Sequence, residues 1–388
     1  MSLSLRLLPI LGLAALVACS DGGTAPDRGG PAGTGSVAEA LTIDLARIPN
    51  YAQPVWSADF DPATQSRTNE PIDNPVTDRG ALLGRVLFYD RRLSINERVS
   101  CATCHLQAHA FTDTMRLSPG FNGVDRTTFR TMSLINVRFY GPGQAFWNRR
   151  AGSFEAQATQ PIVNAVEMGF DSTHGGIDAL LSRLDGLGYY NELFTLVYGD
   201  SVITEARIRQ ALAQFVRSIV SYESRFDSAW SAVYDPSLAD GGLSLPFPGL
   251  TPQENRGKQL FIAGPASGGG GCASCHVPPT FALVGNSLSN GMDAGETRIF
   301  KAPSLRSIAI SGPYMHDGSF RTLAQVVTHY VRGIQDGPAL DNRLRAPTGG
   351  PQRLTMSGAD QAALVAFLRT LTDNSLSRDP KFSDPFRR

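Results

Sequence analysis

Cys272-Ala273-Ser274-Cys275-His276 decides how this chain is read, because the same pattern stands earlier at Cys101-Ala102-Thr103-Cys104-His105. In C-x-x-C-H two thiols add to the two vinyl groups of a haem and the adjacent imidazole ligates its iron, so the spacing follows from the chemistry. The two sites lie 171 residues apart and use four of the five cysteines. They predict two covalently bound haem c groups. A redox C-x-x-C pair or half of a zinc site leaves the neighbouring histidine without a task in both copies.

At 388 residues the chain suits two domains, each large enough to bury a core, which allows one haem per domain. Lys+Arg and Asp+Glu both total 35, so no overall field draws the protein to nucleic acid or to an anionic membrane. Arg6 precedes an apolar run from Leu7 to Ala18 that is too short to span a bilayer and reads as an export signal. Its end, Leu16-Val17-Ala18-Cys19, resembles the bacterial lipobox. That predicts a lipoprotein signal peptide over 1–18, cleavage before Cys19 and lipidation of this leftover thiol. A flexible Gly/Pro/Thr tether over 19–38 follows, and the protein is placed on the periplasmic side of a bacterial cell envelope, lipid-anchored and otherwise soluble.

Helical patterns dominate the rest, and no strands recur at regular spacing with hairpin signals. A short helix is expected within 38–48 and an irregular arm to Pro75. Leu82, Leu83, Val86, Leu87 and Phe88 then recur at helical spacing ahead of the first haem site. Thr251-Pro252-Gln253-Glu254 is a capping box that opens a helix ahead of the second. Thr204 caps a helix predicted to reach about Trp230, and Ser357 to Asp360 caps one carrying Leu364, Phe367 and Leu368. The fold class is therefore mainly α, with two cytochrome c-like haem domains. The Gly/Pro/Ser-rich stretch 235–250 is the expected junction, which divides the chain into 39–240 and 241–388.

A c-type haem with two protein ligands transfers electrons, whereas one with an open face can bind peroxide. His105 and His276 supply one ligand each, and only His109, His174, His316 and His329 remain. Downstream of the first site stand Phe146-Trp147-Asn148-Arg149-Arg150-Ala151, Glu155-Ala156-Gln157-Ala158 and Gln160-Pro161-Ile162-Val163-Asn164-Ala165-Val166-Glu167-Met168. Downstream of the second stand Lys301-Ala302-Pro303-Ser304-Leu305-Arg306, Gly312-Pro313-Tyr314-Met315-His316-Asp317-Gly318 and Thr322-Leu323. From about Thr77 to Leu371 the chain thus resembles the bacterial di-haem cytochrome c peroxidases and their MauG-type relatives, whose patterns are approximately FWDGRA, EQA.GPI.NPVEM, KxPxLR, APYxHxG and TL.

The resemblance implies an N-terminal peroxidatic haem domain and a C-terminal electron-transfer domain. It makes Glu167 the acid–base residue of the peroxide pocket, Gln157 a hydrogen-bonding partner there, Pro161 part of its wall and Trp147 a relay between haems. Members that need reductive activation carry a distal histidine in the loop matching Gly120 to Arg130; none occurs here, so the first haem is expected to be open. At the second haem the family places Met or, in the MauG type, Tyr at the position of Tyr330. His329 is the rival, pointing about 100 degrees away on a helix, with Met315 and Met356 as further candidates. A family calcium is bound partly through carbonyls matching Ser311 and Pro313, but the asparagine that completes it is Thr131 here, and WNRRA replaces WDGRA.

Three functions are in view. The first is a peroxidase reducing hydrogen peroxide with electrons from a donor protein such as a small cytochrome or cupredoxin. The second is a MauG-like oxidase acting on a protein or organic substrate at a distance, and the third a di-haem electron carrier without catalysis.

Overall fold

A computed structural model describes residues 35–387 apart from Pro142 and Val284. The export signal, Cys19 and most of the tether lie outside the described residues. Helices α1 (Asp78–Tyr89), α2 (Phe154–Ala158), α3 (Gly176–Asp185), α4 (Gly188–Tyr198), α5 (Glu205–Ser218) and α6 (Arg225–Ser231) precede the second haem-site region. Helices α7 (Pro252–Ile262), α8 (Leu323–Thr328) and α9 (Gly358–Thr370) complete it. Among the described residues there are only isolated β-bridges and no strand, so the fold is mainly α.

The same arrangement is built twice. Thr77 caps α1 by accepting from Gly80 N, and Thr251 caps α7 by accepting from Glu254 N. Each of these helices then crosses the closing helix of its half at a glycine. A Cβ on Gly84 would stand 2.0 Å from the carbonyl oxygen of Ala211 in α5, and a Cβ on Gly257 would stand 2.0 Å from that of Ala363 in α9. Only glycine admits backbones this close. Beyond each haem site a residue in the left-handed region, Asn136 at φ +61° and Ser307 at φ +55°, donates its N–H to the end of the closing helix. The acceptors are Ile219 O at 2.9 Å and Leu371 O at 2.8 Å. Two cytochrome c-like haem domains follow from one repeated set of contacts.

Two hydrophobic cores match the two halves. The first gathers Leu82, Val86, Phe88, Tyr190, Leu212 and Phe215, and the second Phe226, Phe247, Leu260, Phe281, Leu364 and Phe367. The change of core falls between Val220 and Phe226, ahead of the stretch 235–250. The C-terminal tail returns to the first half: Leu376 and Phe382 join its core, and Tyr51 and Tyr89 donate their hydroxyls to Lys381 O and Phe382 O, each at 2.6 Å.

Two expectations are corrected. The helix expected from Thr204 to Trp230 is two helices, because Asn136 holds residues 219–221 out of helical geometry. Asn136 N donates to Ile219 O, Ser221 N donates to Asn136 Oδ1 at 2.9 Å, and a Ser224–Asp227 capping box then starts α6. The short helix expected within 38–48 is only Val37–Ala40, since Leu41 turns extended and bridges to Phe386.

Candidate active site

Cys101 and Cys104 occupy one helical turn, Cys101–Cys104, steadied by Ser100 N donating to Thr103 Oγ1 at 2.9 Å. The second pair sits on a 3-10 turn, Cys272–Ser274, entered through Gly271 at φ +65°. The histidine that follows each pair is held through its Nδ1 to a backbone carbonyl. His105 Nδ1 donates to Phe111 O and His276 Nδ1 donates to Pro303 O, both at 2.9 Å. A carbonyl can only accept, so the proton is on Nδ1 and the Nε2 lone pair is left for a metal. Burial lowers both imidazole pKa values, that of His276 to about 4, which keeps the rings neutral.

The thiols behave unlike those of a redox C-x-x-C motif, whose pKa is depressed. Burial raises Cys101 and Cys272 to about 12 and Cys104 to about 11. A half zinc site has no other half, for among the described residues no three His, Cys, Asp or Glu are gathered to hold an ion.

Each pair opens into its own cavity. The first, about 750 Å³ counted to its mouth, is lined by Cys101, Cys104, His105, Gln157, Pro161 and Glu167 together with Phe88, Leu134 and Leu212. The second, about 1650 Å³ on the same measure, is lined by Cys272, Cys275, His276, Trp147, Met315, Tyr330 and Met356 among others. Paired thiols, an oriented imidazole and a largely apolar cavity fit a haem c at both places. One segment separates them: Thr131 and Leu134 line the first cavity, while Arg130, Met132 and Ser133 line the second.

Glu167 is set into the first cavity by an Asn164 turn, in which Oδ1 accepts from Val166 N at 2.8 Å and Glu167 N at 3.0 Å. Phe121 N bonds Val166 O at 3.0 Å and Ile95 N bonds Met168 O at 2.8 Å, so this loop is pinned on both sides. Burial raises the Glu167 pKa and the nearby Arg150 lowers it. Gln157 comes from α2, capped by Ser153, whose side chain accepts from Ala156 N.

At the second cavity α8 runs into a π-helical turn, His329–Gly333, which carries Tyr330 to the wall. His329 turns elsewhere, its Nε2 donating to Asn290 O at 3.0 Å, and it is not among the described lining residues. The Asn290 side-chain Nδ2 lies 3.5 Å from Tyr330 Oη and 3.4 Å from Met315 Sδ. Burial pushes the Tyr330 phenol up to about 12.

Comparison with known proteins bears on the whole arrangement. The family model described as di-haem cytochrome c peroxidase matches residues 78–233. A methylamine utilization protein MauG of Methylophilus methylotrophus is 30% identical over 353 residues, covering 87% of this chain and 95% of that one. The chain belongs to the di-haem cytochrome c peroxidase and MauG family. A cytochrome c551 peroxidase of Nitrosomonas europaea is 30% identical over 317 residues, covering 75% of this chain and 84% of the relative. Among solved structures, a MauG-like protein associated with microbial copper homeostasis superposes with a TM-score of 0.67 at 29% identity, covering 87% of this chain and 99% of that one. The protein is thus an oxidoreductase of the di-haem peroxidase family.

Within this family frame two of the expected calcium positions already carry other bonds. Ser311 O already accepts from the Arg130 guanidinium at 2.5 Å, and Thr131 Oγ1 is bonded to Ser118 Oγ at 2.7 Å.

Sequence reasoning also passed over an internal equivalence. Ser153 caps α2 as Thr322 caps α8, and the 169-residue offset between these caps carries Pro161 onto Tyr330. Aligning the two halves on their caps, instead of on the haem motifs alone, would have found it.

Proposed function

We propose that this protein reduces hydrogen peroxide to water in the cavity of Cys101, Cys104 and His105, with electrons entering through the haem held by Cys272, Cys275 and His276. The observation that carries this reading is the pairing of Pro161 with Tyr330. A proline side chain has no donor atom to offer a metal, which would leave the first haem a free face, while the position 169 residues further on presents a phenol oxygen to the second cavity. Haem c supplies the iron that cleaves the peroxide O–O bond in the first cavity and carries electrons in the second.

The protein's own work is proton handling and positioning. Glu167 takes a proton from one peroxide oxygen and returns it to the other, and with two electrons and two protons taken up, two waters form. Its burial-raised pKa brings it closer to neutral pH, where it can both accept and give. Gln157 offers a hydrogen bond in the same cavity. Trp147, on the wall of the second cavity, is the electron relay toward the first. Its indole N–H donates to Arg130 O at 2.7 Å, which fixes the ring. Tyr330 Oη is the second ligand proposed for the C-terminal haem, with Asn290 Nδ2 as the donor that steadies it.

Tyr330 also favours a second reading, the MauG-like oxidation of a protein or organic substrate at a distance, because a hard oxygen donor stabilises oxidised iron. Both readings expect the ferric protein to show one high-spin and one low-spin haem and to react with stoichiometric peroxide without prior reduction. Tyr330→Met should alter only the low-spin signal in EPR. An unchanged signal would hand the role to Met315, Met356 or His329, and an inert ferric protein would mean that the first haem is not open. Export and lipidation at Cys19, which place the enzyme on the periplasmic side of the envelope, belong to the same proposal.

A further inference from the structure

Two buried basic residues are bonded through their backbones to Trp147, and neither side chain is bonded to a carboxylate. Lys301 is 4% exposed and Arg130 is 5% exposed. The backbone ties them to each other's halves: Lys301 N donates to Trp147 O and Arg130 N to His316 O, both at 2.8 Å, and Arg130 O receives the Trp147 indole N–H. They are also equivalent positions, separated by the same 171 residues that separate the two C-x-x-C-H sites.

The Lys301 ammonium lies 3.7 Å from the centre of the Tyr140 ring, and among the described residues it has no hydrogen bond or ion pair. The Arg130 guanidinium bonds uncharged oxygens, Thr112 Oγ1, Thr131 O and Asp113 O at 2.9 Å and Ser311 O at 2.5 Å. Its Nε has no acceptor among the described residues. Both residues line the cavity of Cys272, Cys275 and His276. The third cation there, Arg343, is already spent on Asp341 at 2.7 and 2.8 Å, and Asp341 is the one carboxylate among the described lining residues.

A buried ammonium without a counter-charge is opposed by desolvation, and a cation–π contact offsets only part of that. The wall of this cavity is short of negative charge at one edge, the edge beside Trp147. We propose that Lys301, with Arg130 beside it, receives the propionate carboxylates of the second haem, so that this charge site is completed only when the cofactor is in place. The inference rests on the reading that this haem occupies the cavity of Cys272, Cys275 and His276.

The test uses the matured, haem-loaded protein as wild type, Lys301→Met, Lys301→Gln and Lys301→Arg. The readouts are the propionate bending mode in resonance Raman and the midpoint potential of the second haem by spectroelectrochemistry. Removing a positive charge beside the haem disfavours its reduced form. Lys301→Met and Lys301→Gln should therefore shift the mode and move the reduction equilibrium at least tenfold toward the oxidised state, about 59 mV for one electron. Lys301→Arg, which keeps the charge, should stay within threefold of wild type. If the two neutral variants fail to load the second haem while Lys301→Arg loads it, the assignment is likewise supported. An unshifted mode with a potential within twofold of wild type in a neutral variant would overturn it, as would equal failure of all three to load. A wild type with one haem per chain would instead overturn the reading of the second attachment site, and this proposal with it.

Discussion

Replacing Glu167 by Gln removes a proton acceptor from the first cavity while leaving its shape. The loop that carries residue 167 is held by backbone N–H groups bonded to Asn164, which the substitution does not touch. The variant should therefore fold and take up both haems. What it loses is the proton transfer, and general acid–base help of this kind contributes roughly 10²–10⁴ in rate, or about 3–5 kcal/mol of barrier. The assay is initial-rate peroxide consumption with a reduced donor, with kcat and KM resolved separately and haem content matched by pyridine haemochrome. The loss is expected in kcat, with both haem spectra close to wild type.

A pH arm sharpens the test. The carboxylate is the form that accepts the proton, so the wild-type rate should rise with pH through the Glu167 pKa and then level off. Arg150 lowers that pKa, and Arg150→Gln should therefore move the rising limb to higher pH. In Glu167→Gln the limb should be absent. A loss below about tenfold, or a limb that moves to lower pH in Arg150→Gln, would refute the role given to Glu167 and favour the electron-carrier reading.

Gly84→Ala and Gly257→Ala should each destabilise the protein, because the added methyl would meet a carbonyl oxygen at 2.0 Å and force the paired helices apart. A cost of about 1–3 kcal/mol or more is expected in denaturant unfolding of the haem-loaded protein, and a change below about 0.5 kcal/mol would contradict the close crossing. Cys19→Ser should release the protein from the membrane fraction of the expressing cells; undiminished retention would refute lipidation at that thiol.

Much of this molecule is legible one residue at a time. The two C-x-x-C-H sites are local patterns, in which five consecutive residues set two thiols and an imidazole at the spacing that haem c attachment requires. Helix starts are local too, and Thr204, Thr251 and Ser357 act as the caps that their sequences announce. Helix ends depend on partners that are remote in sequence. The Ser224–Asp227 capping box is a legible second start, but nothing between Thr204 and Trp230 announces that Asn136 will bond the chain at residues 219 and 221 and end the first helix there. The choice between His329 and Tyr330 is of the same kind. The family pattern favours Tyr330, and in the structure Asn290 O binds the imidazole while the π turn brings the phenol to the cavity. Lys301 stands in a family motif, but neither it nor Arg130 shows in sequence that it is buried. Packing of the two halves brings Tyr140 and Trp147 to Lys301, and Ser311 and His316 to Arg130, from segments more than a hundred residues away. Bond chemistry and capping act over a few neighbouring residues and can be read from order alone, whereas burial and side-chain direction are properties of a surface assembled from both halves.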